Sequence, residues 1–265
     1  MKMVIKQAKL PTIDKFFLNQ RLEESRQIVR EAIKLSSNPL VVQFSGGKDS
    51  MAMVGLVKEV TDNFVCSFMS TDIDFPEAVA FAKHSAKELG VTLLISKPAD
   101  HKGGFFERLA EFRRWPTVRG AWCSRDLKIR PQKKMFQKLY GKGGIYKLVG
   151  VRRYESARRR GIYEYGGFVR PDNQVGGDYN IYPILHWTDD DVRNYLEMVG
   201  LPTSELYKKY GVSGCYWCPF YQVKIYLRIL RDNPNLYDEF IEWEERLGAP
   251  SVIGNVYLRD LKAQL

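Results

Sequence analysis

The segment 41–57, VVQFSGGKDSMAMVGLV, contains a short loop whose residue types can bind a phosphate chain. The loop follows a run of branched apolar residues, which is typical of a buried strand. Its glycines let the backbone come close to an anion, its serines can donate hydroxyl hydrogen bonds, and Lys48 adds a positive charge. Asp49 could orient Lys48 or help to hold magnesium. The predicted phosphate ligands are Ser45, Gly46, Gly47, Lys48, Asp49 and Ser50.

The spacing of this loop differs from two common nucleotide-binding patterns. It fits neither the GxxxxGK[ST] loop nor the GxGxxG dinucleotide pattern. A small polar turn between a strand and a helix requires no ligand, but a lysine together with two serines is difficult to explain by turn chemistry alone. The loop therefore predicts a different kind of phosphate site.

Three of the four cysteines are candidates for metal binding. Cys215 and Cys218 form a CxxC in a tight turn, and Cys123 lies much earlier in the chain. The CxxC spacing lets two thiolates bind one metal ion or cluster, and the third would connect the C-terminal segment to the rest of the protein. Unmetallated thiols, including a redox or persulfide-carrying CxxC, stay open. Cys66 lies in an apolar run typical of a buried core cysteine, with a fourth ligand as the alternative.

Further polar and charged residues are expected near the phosphates. RRYESARRR, residues 152–160, follows a predicted strand, at the edge of the sheet where ligands bind. SRDLKIRP places Lys128 and Arg130 two residues apart, which predicts that both face one side of an extended segment. Thr71 and Asp72 follow another strand and could contact ribose or a metal. A solvent-exposed face is the alternative for the triple-arginine run.

The elements that would position these residues alternate along the chain. An amphipathic helix is predicted within 17–36, followed by apolar strands and helices in alternation up to a strand at 144–151. This order predicts a parallel sheet covered by helices on both faces. Thr188 is expected to cap a helix over 188–201, and the last third is mostly helical. The predicted parts are an N-terminal helical extension, a nucleotide-binding α/β domain and a helical C-terminal segment with the CxxC, over 1–37, 38–187 and 188–265.

Composition and charge restrict the classes of partner. The chain has 265 residues, 45% hydrophobic and 13% aromatic, which is typical of an ordered globular protein. Its net charge of +10 favours nucleotides or nucleic acid, although the positive residues are only partly clustered. The chain lacks a membrane-length apolar segment and a secretory signal, which predicts a soluble cytoplasmic protein without a membrane partner. A homo-oligomer stays open.

The loop FSGGKDS resembles the pyrophosphate loop of the ATP pyrophosphatase superfamily, whose members cleave ATP between its α and β phosphates and attach AMP to an acceptor. Over about residues 38–220 the chain is similar to the phosphoadenosine phosphosulfate (PAPS) reductase family of that superfamily. The similar segments are MSTDIDFPEAVAFAKHSAKELGV, WCSRDLKIRPQ, GVRRYESARRR, YPILHWTDDDVRNYL and GCYWCPF. The resemblance implies a doubly wound, mostly parallel α/β fold of the adenine nucleotide alpha hydrolase type, and sulfur chemistry.

Together with the residue types, the resemblance implies roles for individual residues. Lys48, Asp49, Arg152 and Arg153 are expected in catalysis. ATP with magnesium is expected to be bound by the loop 45–50 and by Thr71, Asp72, Lys128, Arg130, Glu155 and Arg158. Iron–sulfur relatives imply a 4Fe–4S cluster on Cys123, Cys215 and Cys218, with zinc as the alternative. The adjacent cysteine pair that such relatives often carry is absent here.

Three functions are consistent with these features. The favoured one is an enzyme that adenylates an acceptor for sulfur transfer, with tRNA or DNA as the acceptor and a sulfur-donor protein as a further partner. The second is an adenylyl sulfate or phosphoadenylyl sulfate reductase that produces sulfite. Such reductases tend to lack the loop lysine and carry a cysteine in a C-terminal motif, whereas here Lys48 is present and no cysteine follows Cys218. The third is a non-catalytic nucleotide-binding subunit. A flavin adenylyltransferase activity is a further option, because such enzymes share the loop, but it would not explain the CxxC.

Overall fold

Six strands form one sheet at the centre of the described part of the chain. The computed structural model describes residues 12–163, 167–173 and 177–265. The strands are β1 (Leu40–Gln43), β2 (Phe64–Met69), β3 (Leu93–Ser96), β4 (Tyr146–Val149), β5 (Val169–Pro171) and β6 (Tyr179–Ile181). Their order across the sheet is β3-β2-β1-β4-β6-β5, and β5 pairs antiparallel with β6 while the other pairs are parallel. The predicted doubly wound, mostly parallel sheet is confirmed.

The sheet is flanked by α-helices and three shorter helical turns in the region that the structure covers. The α-helices are α1 (Thr12–Leu35), α2 (Lys48–Val60), α3 (Pro76–Glu88), α4 (Phe105–Phe112), α5 (Arg130–Tyr140), α6 (Ala157–Tyr163), α7 (Asp189–Val199), α8 (Glu205–Tyr210), α9 (Val223–Asp232), α10 (Asp238–Leu247) and α11 (Leu258–Lys262). The turns are a π-helix at Ser124–Ile129 and 3₁₀-helices at Pro98–Asp100 and Arg153–Glu155. Among the helices described, none combines the length and the apolar character that a membrane span requires.

The prediction of an extended segment before Pro131 is wrong. Ser124–Ile129 is a π-helix that continues directly into α5, and the backbone N–H of Arg130 donates to the carbonyl of Arg125. The Asp126 carboxylate accepts hydrogen bonds from both of these arginines. These side-chain contacts draw the segment into a compact turn, because an extended chain would separate residues five positions apart.

Two hydrophobic cores cover the two faces of the sheet. Both are needed because successive side chains of β1 point to opposite faces. Val42 faces the larger core, which is filled by residues of α1, α2 and α7 together with Ala82 of α3. Val41 faces the opposite side, where Phe136 of α5 packs with Val65 and Ile145. The helices α3 and α5 therefore lie on opposite faces of the sheet.

A third cluster, here called the aromatic core, joins residues from the middle of the chain to the C-terminal helices. Phe105 of α4 lies at its centre, with ring centroids 5.4 Å from Trp122, 5.5 Å from Trp217 and 5.4 Å from Phe240. Helix α7 packs in the larger core, whereas α8 to α11 contribute to the aromatic core. The boundary predicted at residue 188 stays a prediction.

Candidate functional site

A cavity of about 400 Å³ opens at the carboxyl end of the sheet. It lies where β1 has β2 on one side and β4 on the other, so the direction of winding reverses there. In open α/β sheets this reversal leaves a crevice between the loops, and ligands bind in it. The cavity is lined by five residues of the predicted phosphate loop: Ser45, Gly47, Lys48, Asp49 and Ser50.

The loop between β1 and α2 is held in shape by its own serines. The Ser50 hydroxyl donates to the Gly47 carbonyl at 2.9 Å and accepts from the Ser45 N–H at 3.2 Å. Gly46 adopts a φ of 77°, a conformation that favours glycine, and it does not line the cavity. Gly47 is the N-cap of α2 and has no side chain to cap the helix. The first N–H groups of α2 can therefore bind an anion in the cavity.

Two buried cations and two carboxylates form an ion cluster beside this loop. Lys48 Nζ lies 3.0 Å from Asp49 Oδ1 and 2.7 Å from Asp189 Oδ1. Arg152 contacts the same two oxygens, through Nε at 2.7 Å and Nη2 at 3.0 Å. Lys48 and Arg152 are each only 4% exposed. The structure thus brings together three of the four residues that the sequence assigned to catalysis.

Asp189 is a site residue that sequence reasoning missed. The sequence predicted only a helix over 188–201 with Thr188 as its cap, and α7 does begin there. Burial raises the pKa of the Asp189 carboxyl, but the hydrogen bond from Lys48 and the charge of Arg152 outweigh it, so this pKa is below its usual value. No local pattern could have identified it, because its role depends on α7 packing against α2.

The cavity is also lined by charged and polar side chains from other segments. They include Asp74, Lys128, Glu155, Arg159, Tyr207 and Ser213. Of these, Lys128 and Glu155 were predicted. Arg159 pairs with Glu155, whereas the side chain of Arg158 lies outside the described residues. Arg152 lines a second cavity, which adjoins the first and shares Lys48 and Asp49 with it.

Four other residues predicted for nucleotide binding or catalysis, apart from Gly46, line neither cavity. The Arg153 guanidinium lies over the Tyr154 ring, 5.7 Å from its centroid. Arg130 Nη1 lies 2.5 Å from Asp126 Oδ1. Arg130 does not share a side with Lys128, because residues two apart on a helix face different directions. Asp72 packs beside Gly104, where an added Cβ would lie 2.8 Å from its Oδ2. Thr71 Oγ1 lies 3.0 Å from Asp74 Oδ1 and 3.2 Å from Cys215 Sγ.

The CxxC loop is joined to the segment that follows β2. Asp74 and Cys215 form an antiparallel bridge, in which Phe75 N–H donates to Gly214 O at 2.8 Å and Tyr216 N–H donates to Ile73 O at 2.9 Å. These bonds place Cys215 at the carboxyl end of β2, next to the cavity.

Three tyrosine hydroxyls fix the backbone of the same loop. Tyr221 donates to Cys215 O at 2.7 Å, Tyr226 to Cys218 O at 2.6 Å and Tyr237 to Tyr216 O at 2.5 Å. Each bond satisfies a carbonyl in a partly buried turn, which would otherwise be costly. The turn therefore has a defined conformation set by protein groups.

Cys123, Cys215 and Cys218 lie close enough to influence one another. Burial, together with the nearby Cys215 and Cys218 thiols, raises the pKa of Cys123 to about 12. Burial likewise raises the pKa of Cys215 and of Cys218, while the Lys128 ammonium lowers both. Cys66 is buried in the larger core, as expected of a core cysteine.

The arrangement of the three thiols bears on the two predicted metals. Among residues 12–163, 167–173 and 177–265, no three His, Cys, Asp or Glu side chains are arranged to hold a metal ion. A zinc ion requires all its thiolates at about 2.3 Å from one centre, so this arrangement does not fit zinc. A multi-iron cluster binds each thiolate at a different iron, which spreads the sulfurs further apart. The 4Fe–4S cluster stays a prediction, since the described residues show no arrangement already formed around a metal.

Residues 39–220 match the phosphoadenosine phosphosulfate reductase domain. The chain belongs to this family. An uncharacterized protein of Methanocaldococcus jannaschii is 31% identical over 236 residues, which are 86% of this chain and 54% of that protein. The chain thus spans about half the length of this relative. The adenosine 5'-phosphosulfate reductase of Halalkalibacterium halodurans is 27% identical over 209 residues, 76% of this chain and 84% of that enzyme.

Solved structures share the fold of this PAPS reductase family member. The phosphoadenylyl-sulfate reductase of Candida auris, in a phosphate complex, aligns with a TM-score of 0.54 and 19% identity, over 79% of this chain and 98% of that one. The FMN adenylyltransferase of Candida glabrata, with FMN and the ATP analogue AMPCPP, aligns with a TM-score of 0.54 and 15% identity, over 80% and 66%. The predicted family and the adenine nucleotide alpha hydrolase fold are therefore confirmed.

Proposed function

We propose that this protein binds ATP with magnesium in the cavity and adenylates an acceptor for sulfur transfer. The observation that carries the proposal is the buried pair Lys48 and Arg152, both directed at one point beside the exposed N-terminus of α2. Two buried cations at a helix N-terminus suit a polyphosphate, whose charge they can neutralise. The Candida glabrata adenylyltransferase, which binds an ATP analogue on the same fold, supports a nucleotide at this position.

In the proposed reaction an oxygen of the acceptor attacks the α-phosphorus of ATP. The bond from the α-phosphorus to the bridging oxygen breaks, and pyrophosphate leaves with the electron pair. A sulfur nucleophile then displaces AMP from the acceptor. The loop 45–50 would hold the β and γ phosphates, while Lys48 and Arg152 stabilise the charge that develops on pyrophosphate.

Magnesium would be held by two carboxylates, of which Asp49 lines the cavity and Asp189 lines the cavity that adjoins it. Asp49 and Asp189 offer the oxygen ligands that this ion prefers, and they lie in the ion cluster with Lys48 and Arg152. When bound, magnesium supplies additional positive charge near the phosphates. Both carboxylates would leave their present cation partners, in part, as the phosphates arrive.

The sulfur chemistry is assigned to Cys123, Cys215 and Cys218, with a 4Fe–4S cluster as the group that they would hold. When bound, such a cluster would supply a place for a sulfur ligand such as sulfide. Lys128 connects the two sites, because it lines the cavity and its charge also acts on all three cysteines. An acceptor in the cavity would thus lie beside the sulfur-bearing group. A tRNA or DNA acceptor and a sulfur-donor protein are the partners that we propose.

A reductase that releases sulfite from an adenylyl sulfate is the second candidate. It is favoured by the similarity to the Halalkalibacterium halodurans enzyme, which covers most of that protein. The ion cluster favours adenylation, because a triphosphate carries more charge than a phosphosulfate and makes fuller use of Lys48 and Arg152.

Adenylation is tested by replacing Lys48 and measuring ATP binding and pyrophosphate release with tRNA or duplex DNA present. Lys48→Ala removes a charge-assisted hydrogen bond of about 1.5–3 kcal/mol, so we expect ATP affinity to fall roughly 10- to 100-fold and pyrophosphate release to be lost. Lys58→Ala is the control, because Lys58 lies on the same helix and pairs with Asp62 at the surface. Unchanged ATP binding by Lys48→Ala, or sulfite release from phosphoadenylyl sulfate without ATP, would contradict the proposal.

A further inference from the structure

Nearly all of the net positive charge of the chain lies in residues 97–142. This segment has 13 lysines and arginines and four acidic residues, whereas the remaining sequence has 28 and 27. The +10 charge is therefore a property of one segment, which includes Cys123 and Lys128. A local concentration of positive charge indicates a surface that attracts a polyanion, because evenly distributed charges would produce no strong local electrostatic field.

The acidic side chains that the structure describes in this segment are all engaged within it. Asp126 is fully buried among Arg108, Arg125 and Arg130. Glu111 pairs with Arg108, and Glu107 accepts a hydrogen bond from Gly104 N–H at 2.6 Å. None of these contacts involves Lys102, Lys134 or Lys138.

The cations of α5 line up along one side of the helix. Arg130, Lys134 and Lys138 follow one another at four-residue spacing, which places successive positive charges about 6 Å apart. The turn after β3 adds Lys102 beside them. Burial lowers the pKa of His101, and the charges of Lys134, Arg130 and Lys102 lower it further.

A second set of cations lies on the loop between α4 and the π-helix. Arg113, Arg114 and Arg119 are exposed, and Trp122 Nε1 donates to the Arg114 carbonyl at 3.1 Å. This bond fixes the loop next to Cys123. The basic face is defined here as the exposed cations of both sets: Lys102, Arg113, Arg114, Arg119, Lys134 and Lys138.

We propose that the basic face binds the sugar–phosphate backbone of a nucleic acid and leads it toward Cys123. A row of cations at regular spacing along a helix, continued on a neighbouring loop, suits a chain of phosphates better than it suits one small anion. The proposal rests on the proposed function for the reaction that follows, since it names the acceptor, but binding itself requires no ATP.

The test compares binding of labelled tRNA and duplex DNA by fluorescence anisotropy at several salt concentrations. The variant carries Lys102→Glu, Lys134→Glu and Lys138→Glu, all at exposed positions outside the cavity. We expect its affinity to fall roughly tenfold or more at moderate salt, and the salt dependence to weaken by about one phosphate contact per cation. The nucleic acid that binds more tightly is the one whose sugar–phosphate backbone the basic face recognises.

The control variant carries Lys34→Glu, Lys83→Glu and Lys87→Glu, which change the net charge equally but lie on α1 and α3, which pack on the face of the sheet opposite α5. It should bind nucleic acid within about threefold of the unmodified protein. Equal losses in both variants, no binding by the unmodified protein, or binding to phosphatidylserine vesicles alone would overturn the proposal. Lys48→Ala should still bind nucleic acid, so failure of adenylation and failure of this surface are distinguishable.

Discussion

At the scale of single residues, the positive charge of the site is neutralised by two carboxylates that contact the same two cations. Asp49 and Asp189 each approach both Lys48 and Arg152 through one oxygen. In this state the cations already have partners of opposite charge. A nucleotide must therefore compete with these carboxylates for Lys48 and Arg152.

Replacing Asp189 tests this competition. Asp189→Asn keeps the shape of the side chain but removes its charge, so it should strengthen binding of magnesium-free ATP by about two- to fivefold, as expected for a partly exposed ion pair. Equilibrium binding with a chelator present measures this effect. Asp190→Asn removes the same charge from the neighbouring exposed position and should have no such effect. Equal affinities in the two variants would show that Asp189 does not compete with the phosphates.

The residues that sequence reasoning placed correctly are those whose position follows from local chain geometry. Lys48 and Asp49 occupy a loop directly after an apolar strand, and Arg152 follows another. Asp189 could not be found in this way, because its partners lie far away in sequence. Arg130 was misplaced because the helical conformation of its segment depends on the buried Asp126 and not on hydrophobic periodicity.

At the scale of elements, the end of β4 packs directly against the start of α2. A Cβ added to Gly150 would lie 2.9 Å from the Asp49 carbonyl oxygen and 3.2 Å from Ser50 N. The contact is with backbone atoms, which cannot move as a side-chain end can. Gly150 thereby sets how close β4 and the phosphate loop can come.

Gly150→Ala should displace the phosphate loop. We expect a loss of about 1–3 kcal/mol in stability, typical of overpacking, together with weaker ATP binding. Thermal unfolding and ATP titration provide the two measurements. Gly161→Ala is the matched control, because no atom lies within 4 Å of the added Cβ. If Gly150→Ala binds ATP as the unmodified protein does, the loop tolerates this displacement and the argument from close packing fails.

The elements that were predicted best are the buried parallel strands and the helices between them, because apolar runs bounded by glycine and polar turns identify both. Helix α4 and the π-helix at Ser124–Ile129 were not predicted. They lie in a segment rich in charge and aromatic residues, where tertiary contacts with the C-terminal helices decide the local conformation.

At the scale of the whole molecule, the aromatic core holds the C-terminal helices to the nucleotide-binding sheet. Phe105 comes from the middle of the chain, whereas Trp217 and Phe240 come from the C-terminal part. Sequence patterns indicated that this part is helical but not which residues it packs against. The strand order could likewise not be predicted, since β1 pairs with β4 although two strands and four α-helices lie between them in the sequence.

Phe105→Ala should loosen this connection. Removing a fully buried ring costs about 3–5 kcal/mol, so we expect the free energy of unfolding to fall by that amount and the C-terminal helices to become sensitive to protease. Denaturant unfolding and limited proteolysis measure the two effects. Phe220→Ala, at a position 49% exposed, is the control and should change little. A similar stability for both variants would mean that Phe105 does not carry the connection.

The tyrosine contacts of the CxxC loop have a consequence for how the protein could be assembled. Because hydroxyl groups of Tyr221, Tyr226 and Tyr237 hold the loop, its shape does not depend on a bound metal. Small zinc-dependent modules behave differently, since they unfold when the ion is removed. Here an inorganic group could enter the loop after the polypeptide has folded, because the turn is already held by its own hydrogen bonds.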